Sequence, residues 1–479
     1  MEVKTLTYKG ISLFSGCGGL DLGFEKVNNY LNDSGQGIFE TIWANDINRA
    51  AVKTYAENFK FEIYEDPEEE INKNNKKIFL GDVKNIDFKN KVKNDIDFVL
   101  GGFPCQDFSI LGGSKRQGIK VKRGSLYLQF VRSLIELQPL FFVAENVKGI
   151  KSANDGAAFR QIKNDFQHLN ENLIELSEKI DIDLNNCDQI ENYKIIFDDV
   201  VNFADFGVSQ NRERMIFIGV RADLIDICEE EKIKNKLKNF LLPENTAPVT
   251  PLEVFEGEVL DDLNQKYIEI MKDFTEYLSE MNHEYADDFK NKTWSEYLMD
   301  SIKDYKELNN IDYEMNDRRS KVYSALKEIG AFKNPIAEIN FKDNSNEKAS
   351  TQSKTKARMR RIPPGENHEF VRETKYSIKA MMSNIYRRVH PLVPSPTIIA
   401  NGGGGTYGYH YECERQNLTN RERARLQSFP DNFLFEGNKS DVRRQIGNSV
   451  PPLGSKRIAQ AVKNIVLEVI ENKLIIEAV

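Results

Sequence analysis

ISLFSGCGGLDLGF (residues 11–24) decides the fold. A short apolar run, rich in β-branched and aromatic residues, passes directly into glycines at 16, 18, 19 and 23. Such a run suits a strand buried on both faces, and the glycines let backbone approach a ligand where strand turns into helix. Five further runs of the same kind follow: FETIWAN (39–45), KIFLGD (77–82), DFVLGG (97–102), FFVAEN (141–146) and MIFIGV (215–220). Between them, LYLQFVRSLIEL (126–137) carries Leu126, Phe130, Leu134 and Leu137 at helical spacing. Strand–helix alternation over about 200 residues predicts an α/β doubly wound, Rossmann-like domain.

Beyond residue 220 the character changes. Residues 221–350 are dense in charge, with helical spacing in YIEIMKDFTEYLSEM (267–281) and no further sheet-like alternation. FEIYEDPEEE (61–70) holds six acids and no base and reads as a solvated loop insertion. KASTQSKTKARMRRIPPGEN (348–367) is polar, basic and broken by Pro363-Pro364-Gly365, which predicts a loop or linker. Helical signals return at 418–429 and 454–470. The 479 residues therefore divide into a domain at 1–220, a second at 221–385, a remainder and hinge at 386–440, and a segment at 441–479 that returns to the first domain.

The chain carries 66 Lys+Arg and 74 Asp+Glu, a formal charge of −8, with 40% hydrophobic residues. That balance excludes a protein that coats nucleic acid by being basic everywhere, yet leaves room for a local basic cleft. Five scattered cysteines without Cys-x-x-Cys spacing point away from a disulfide scaffold and toward a reducing cytoplasm. Five histidines show no metal spacing, and no metal is expected. No run of about 18 or more apolar residues occurs, and the N-terminal residues do not read as a signal peptide. A soluble cytoplasmic protein is expected, as a monomer.

Four constellations carry chemistry. Glycine-rich strand–turn–helix segments such as 14–24 bind NAD, FAD, nucleotides or S-adenosylmethionine; a tight turn without ligand is the bland reading. Asp46 and Asp82 end the next two expected strands, where acids can meet ribose hydroxyls and an adenine amino group. Cys105, in GGFPCQDFS (101–109), follows a proline and precedes a basic, glycine-rich loop, so it is a candidate nucleophile. Cys17, Cys187 and Cys228 read as inert. Glu145 ends a buried strand, where a carboxylate is costly unless paired or protonated, as a tuned general acid is. Arg212 and Arg214 in QNRERMIFIGV (210–220) could hold phosphate or a carbonyl oxygen, or form a surface ladder with Glu213.

Taken in order, FSGCGGLDLGF, PCQ, ENV, QNRER and GNSVPP (447–452) resemble the signature blocks of the DNA (cytosine-5) methyltransferases of bacterial restriction–modification type. TYAENF (54–59), SPTI (395–398) and RERARLQSFPDNF (421–433) add to the resemblance, which covers roughly 10–220 and 386–470. It implies a variable target-recognition domain at 221–385. It implies catalytic roles for Cys105 as nucleophile, Glu145 at cytosine N3 and Arg214 at O2, with Arg212 positioning the backbone or ordering the site. It assigns Phe14, Gly16 and Gly18 to the methionine end of S-adenosylmethionine, Asp46 to its ribose, and Ile47, Asp82 and Val83 to adenine. Asn448 with Val450 would close the pocket. The family often has Glu where Asp46 stands and a large aromatic at Ile47.

For double-stranded DNA the resemblance and the charge pattern single out Gln106, Ser109 and Arg123, with a basic loop at Lys115, Arg116, Lys120 and Lys122. A second basic cluster, Lys354, Lys356, Arg358, Arg360 and Arg361, is expected to meet phosphates or a guanine edge. Arg387, Arg388 and the glycine run at 401–405 are further DNA-face candidates. The implied activity methylates cytosine in a specific duplex after the base leaves the stack, guarding DNA against a cognate restriction endonuclease. A tRNA cytosine methyltransferase of the same fold and a decayed, non-catalytic DNA-binding protein are the rival readings.

Overall fold

A computed structural model describes residues 7–28, 38–69, 75–92, 95–104, 126–180, 190–280, 304–379, 385–400 and 408–478. The chain forms two compact units. The first comprises Met1–Asn202, Glu213–Pro243 and Ser449–Val479, and the second Phe203–Arg212 and Glu244–Asn448.

The first unit is built in chain order from β1 (Tyr8–Leu13), α1 (Gly19–Asn28), β2 (Phe39–Asp46), α2 (Arg49–Phe59), β3 (Glu62–Tyr64), β4 (Lys77–Leu80) and β5 (Phe98–Gly101). Then follow α3 (Leu126–Leu137), β6 (Phe141–Val147), α4 (Ala157–Gln167), β7 (Tyr193–Asn202), β8 (Glu213–Arg221) and α5 (Ile227–Leu241). The strands make one eight-stranded sheet in the order β3-β4-β2-β1-β5-β6-β8-β7. β1 to β6 pair in parallel, whereas β8 runs antiparallel to both β6 and β7. The chain leaves β1 in one direction and later resumes on its other side with β5. The carboxyl ends of β1 and β5 therefore flank a topological switch point, where α/β sheets open a crevice for ligands.

Alternation along the strands supplies both faces of the sheet. On one face Phe142 meets Phe130 of α3 and Phe166 of α4, with ring centroids 5.7 and 4.7 Å apart. On the other, Phe98 and Phe141 stack at 5.5 Å, and Phe24 of α1 reaches Phe98 at 6.1 Å. A helix over Pro452–Ala461 packs along α1. Contact is close because Gly23 has no side chain: a Cβ there would lie 2.3 Å from Ser455 Cβ and 2.4 Å from Lys456 N. Buried Asp21 ties the elements beneath the glycine loop. It accepts from Ser12 Oγ at 3.0 Å and Tyr55 Oη at 3.0 Å, while burial pushes its carboxyl up to about 6.

The second unit contains α6 (Pro251–Glu256), α7 (Leu263–Lys272), α8 (Met315–Glu328), α9 (Ser353–Met359), α10 (Asn420–Leu426) and α11 (Lys439–Asn448), joined by isolated bridges. Its interior is knotted by arginines. Arg388 is fully buried and donates to the carbonyls of Ile362, Met359 and Glu412 at 2.6–2.7 Å, and to that of His410. Arg425 reaches Asp431 at 2.6 Å and Val254 O at 2.9 Å, and Arg421 reaches Asp343 at 2.6 Å.

Three differences from the sequence reading have physical reasons. Residues 62–64, expected as loop, form edge strand β3, because Tyr64 is buried and its hydroxyl accepts from Trp43 Nε1 at 2.8 Å. β7, absent from the expected runs, pairs along β8 although Asp198 and Asp199 interrupt its apolar pattern. Residues 213–243 all belong to the first unit, since α5 packs on β7, so the boundary expected at 220 moves to 243. The variant Gly23→Ala should lower stability by about 2 kcal/mol, read as a lower melting temperature. An unchanged melt would show that α1 and its neighbour can part without cost.

Candidate active site

The corner at the carboxyl ends of β1, β2 and β4 is stitched by short polar contacts. Phe14 directly follows β1 with φ +54°, a left-handed conformation that costs a bulky residue about 1–3 kcal/mol. Gly18 takes φ +89°, and any Cβ there would lie 2.3 Å from the Phe59 ring. Ser15 N donates to Asn45 O at 2.9 Å, and Asn45 Nδ2 donates to Gly81 O at 3.0 Å. Asp46 anchors the loop: Oδ2 accepts from Gly16 N at 2.9 Å and Oδ1 from Asn48 N at 2.8 Å. Burial raises the Asp46 carboxyl while these backbone donors pull the other way. Ile47 N is a third backbone donor to this carboxylate, which keeps acceptor capacity for a further donor.

Around that corner, Ile47 is 72% exposed, Val83 is buried, and Asp82 accepts from Lys84 N at 3.1 Å. Val450 is buried, and Gly19 packs against it so closely that a Cβ would lie 2.3 Å from its carbonyl oxygen. Cys17 lies beneath, its thiol pushed up to about 12 by burial, so it holds no ready thiolate. The donor set suits a nucleoside with an amphiphilic tail: a carboxylate beside a glycine loop, an exposed aliphatic face, and a second carboxylate at the next strand end.

The second corner lies where β6 meets β8. Their antiparallel register pairs Val147 with Arg214 and Glu145 with Ile216, which brings Arg214 Nε to 2.9 Å from Glu145 Oε1. Both side chains are nearly buried, at 13% and 12% exposure. Gly102, at the end of β5, leaves space for the carboxylate, since a Cβ there would stand 3.1 Å from Glu145 Oε2. Asn146 Nδ2 donates to Phe103 O at 3.0 Å and so holds the backbone two residues before Cys105. Cys105, Gln106, Ser109, Arg123 and the rest of the basic loop lie outside the described residues, as do 401–405.

Several of the remaining expected site residues have defined partners. Arg212, expected in the catalytic set, is 1% exposed, and its guanidinium donates to Gly447 O at 3.0 Å and Ile398 O at 3.3 Å within the second unit. It orders backbone there. Asn448, expected to close the cofactor pocket with Val450, ends α11 and directly precedes Ser449, which packs against Gly19. The basic cluster is largely internal. Arg361 is buried, paired with Glu280, and lies over the Tyr376 ring at 4.1 Å. Arg358 is buried over Tyr386 at 4.7 Å, and half-buried Arg360 pairs with Glu414 at 2.6 Å. Only Lys354 and Lys356 of the five are exposed. Arg388, likewise a DNA-face candidate, is the carbonyl knot already described. The sequence reading missed Asn45, Asn146 and Asp21. For Asn146 the signal was its place directly after Glu145 at a strand end.

Comparisons with known proteins place the chain in a family. A family model described as C-5 cytosine-specific DNA methylase matches residues 8–464. The chain is 41% identical over 473 residues to the DNA (cytosine-5-)-methyltransferase M.ApeKI of Aeropyrum pernix, covering 96% of this chain and 98% of that protein. It is 33% identical to the type II methyltransferase M.NgoFVII of Neisseria gonorrhoeae, covering 95% and 86%. In fold it resembles the crystal structure of a putative DNA modification methyltransferase encoded within an E. coli prophage. That match has TM-score 0.54 and 24% identity, covering 96% of this chain and 100% of that one.

Arg361→Ala should cost about 1–3 kcal/mol of stability through the lost ring stack and ion pair, seen as a lower melting temperature. The salt dependence of duplex DNA binding should stay unchanged. A salt slope smaller by about one would instead place Arg361 on a phosphate.

Proposed function

This chain belongs to the C-5 cytosine-specific DNA methylase family, and from that premise we propose that it methylates C5 of one cytosine within a specific duplex sequence, with Cys105 as nucleophile. The observation that carries the reading is the Glu145–Arg214 pair at 2.9 Å, beside the β5 end from which the chain runs to Cys105. A carboxyl and a guanidinium side by side match the N3 and O2 edge of cytosine.

Cytosine C5 is a weak nucleophile until a group adds to C6. The Cys105 thiolate adds there, and the electron density it brings moves toward N3 and O2. Glu145 meets that charge at N3 with a hydrogen bond or a proton, and Arg214 holds O2, so both act where charge develops. C5 is then enamine-like and can be methylated. Loss of the C5 proton and elimination of Cys105 restore the aromatic ring and free the thiolate. Because C6 is covered on both faces within a duplex, the target base leaves the stack for this chemistry.

S-adenosylmethionine, when bound, supplies an electrophilic methyl group on sulfur. Asp46 is the residue for its ribose hydroxyls, Ile47 and Val83 for the adenine faces, Asp82 for the amino group, and the Phe14–Gly18 turn for the methionine end. Val450 lies against Gly19 in the same unit. The type II designation of M.NgoFVII and of M.BbvI from Brevibacillus brevis, 32% identical, supports a role in protecting DNA from an endonuclease of the same specificity.

Transfer of labelled methyl groups to unmethylated duplex DNA and to total tRNA, assayed side by side, tests the reading. Duplex DNA should be labelled and tRNA not; tRNA-only incorporation would overturn the substrate. Cys105→Ala should abolish transfer while S-adenosylmethionine affinity changes less than about twofold. Glu145→Gln should lower turnover by roughly 100-fold or more. Retained turnover in Cys105→Ala would refute the nucleophile.

A further inference from the structure

We propose that Arg132 is a positioning residue for the adenosine end of the cofactor site, holding the turn that carries Asp82 and Val83. The inference rests on the cofactor reading above and adds a residue to it. Arg132 lies on α3 and is 5% exposed. Its Nη2 donates to Val83 O at 2.9 Å and to Ile86 O at 2.7 Å. Its guanidinium carbon lies 4.7 Å from the centre of the Phe88 ring. Glu136, one helical turn further along α3, stands with Oε1 3.7 Å from Arg132 Nε and accepts from Phe88 N at 3.2 Å through Oε2.

One guanidinium and one carboxylate thus grip both ends of residues 83–88. The turn has internal bonds of its own: Asn85 N to Asp82 O at 3.0 Å, Ile86 N to Val83 O at 3.2 Å, and Lys84 N to the Asp82 side chain. These fix its local shape but not its place against the sheet. Val83, Ile86 and Phe88 are buried and apolar, so they slide against neighbours at little cost in direction. The planar fork of an arginine is directional, and two carbonyls on one fork fix position as well as depth.

A buried charge pair is expensive compared with apolar residues of similar volume. Leucine at 132 and 136 would fill the same space against Phe88. What the pair adds is the placement of the turn whose first two residues face adenine. Burial pushes the Glu136 carboxyl up to about 7, so Arg132 beside it offsets only part of the desolvation.

The test measures binding of S-adenosylmethionine and of S-adenosylhomocysteine to the full-length protein by titration calorimetry. Arg132→Met should weaken both by about tenfold or more, a part of the value of two charge-assisted hydrogen bonds transmitted through the turn. Arg132→Lys, which keeps the charge and reaches one carbonyl, should weaken them by roughly threefold. In methyl transfer to unmethylated genomic DNA, KM for the donor should rise while kcat at saturating donor falls less than about threefold. Duplex affinity, read by fluorescence anisotropy, should change less than about twofold.

Wild-type cofactor affinity in Arg132→Met would overturn the inference and leave the cofactor site standing. Equal losses in cofactor and DNA affinity would reduce Arg132 to general stability and overturn it also. If Arg132→Met does not fold, Arg132→Lys decides: unchanged affinity in that variant overturns the proposal. A wild-type protein that binds neither ligand would remove the cofactor reading itself, and the inference with it.

Discussion

The catalytic unit depends on an ion pair that exists because one strand runs the wrong way. Six strands are parallel; β8 is antiparallel to β6, and only that direction sets Arg214 beside Glu145 at 2.9 Å. A carboxylate at the end of a strand buried on both faces loses most of its hydration, and without a partner it would be neutral at working pH or would destabilise the strand. Arg214 offsets that loss from the neighbouring strand. The same pairing leaves one oxygen of Glu145 turned toward Gly102 at the end of β5, and that side is the one from which the chain continues to Cys105. On the proposed mechanism the hairpin of β7 and β8 contributes to the chemistry, since it delivers Arg214 to Glu145.

Arginines set the character of the second unit in a different way. Arg318, Arg388, Arg421 and Arg425 are each at most 1% exposed, every one held by carbonyls or carboxylates. They organise backbone where few strands exist among the described residues to do so. The formal charge of −8 therefore misleads in both directions. Among the described residues of this unit many arginines are paired internally, whereas Lys354 and Lys356 stay exposed.

How much was legible in the sequence follows from what each signal encodes. Runs such as FFVAEN and MIFIGV record burial on both faces, and burial is local, so six strands could be read directly. β3 and β7 escaped because acids stand at Glu62, Asp198 and Asp199, and their partners lie far along the chain. Asp199, for one, pairs with Lys151 at 2.9 Å. Asp46, Glu145 and Arg214 could be singled out for the same reason as the strands: polar groups at the ends of apolar runs stand out. The ion pairs of Arg360 and Arg361 were not legible because sequence displays a charge without its counter-charge; Glu414 and Glu280 are distant in the chain. Arg212 and Arg214, two positions apart, look equivalent in QNRER, yet their partners belong to different units.

The most direct measurement is covalent trapping on a duplex in which 5-fluorocytosine replaces cytosine, with S-adenosylmethionine present. Fluorine at C5 cannot leave as a proton does, so the enzyme that has attacked C6 stays bound to the base. A denaturant-resistant protein–DNA complex should form with the wild-type chain and be absent with Cys105→Ala. No complex with the wild-type chain, or an undiminished one with Cys105→Ala, would contradict the account.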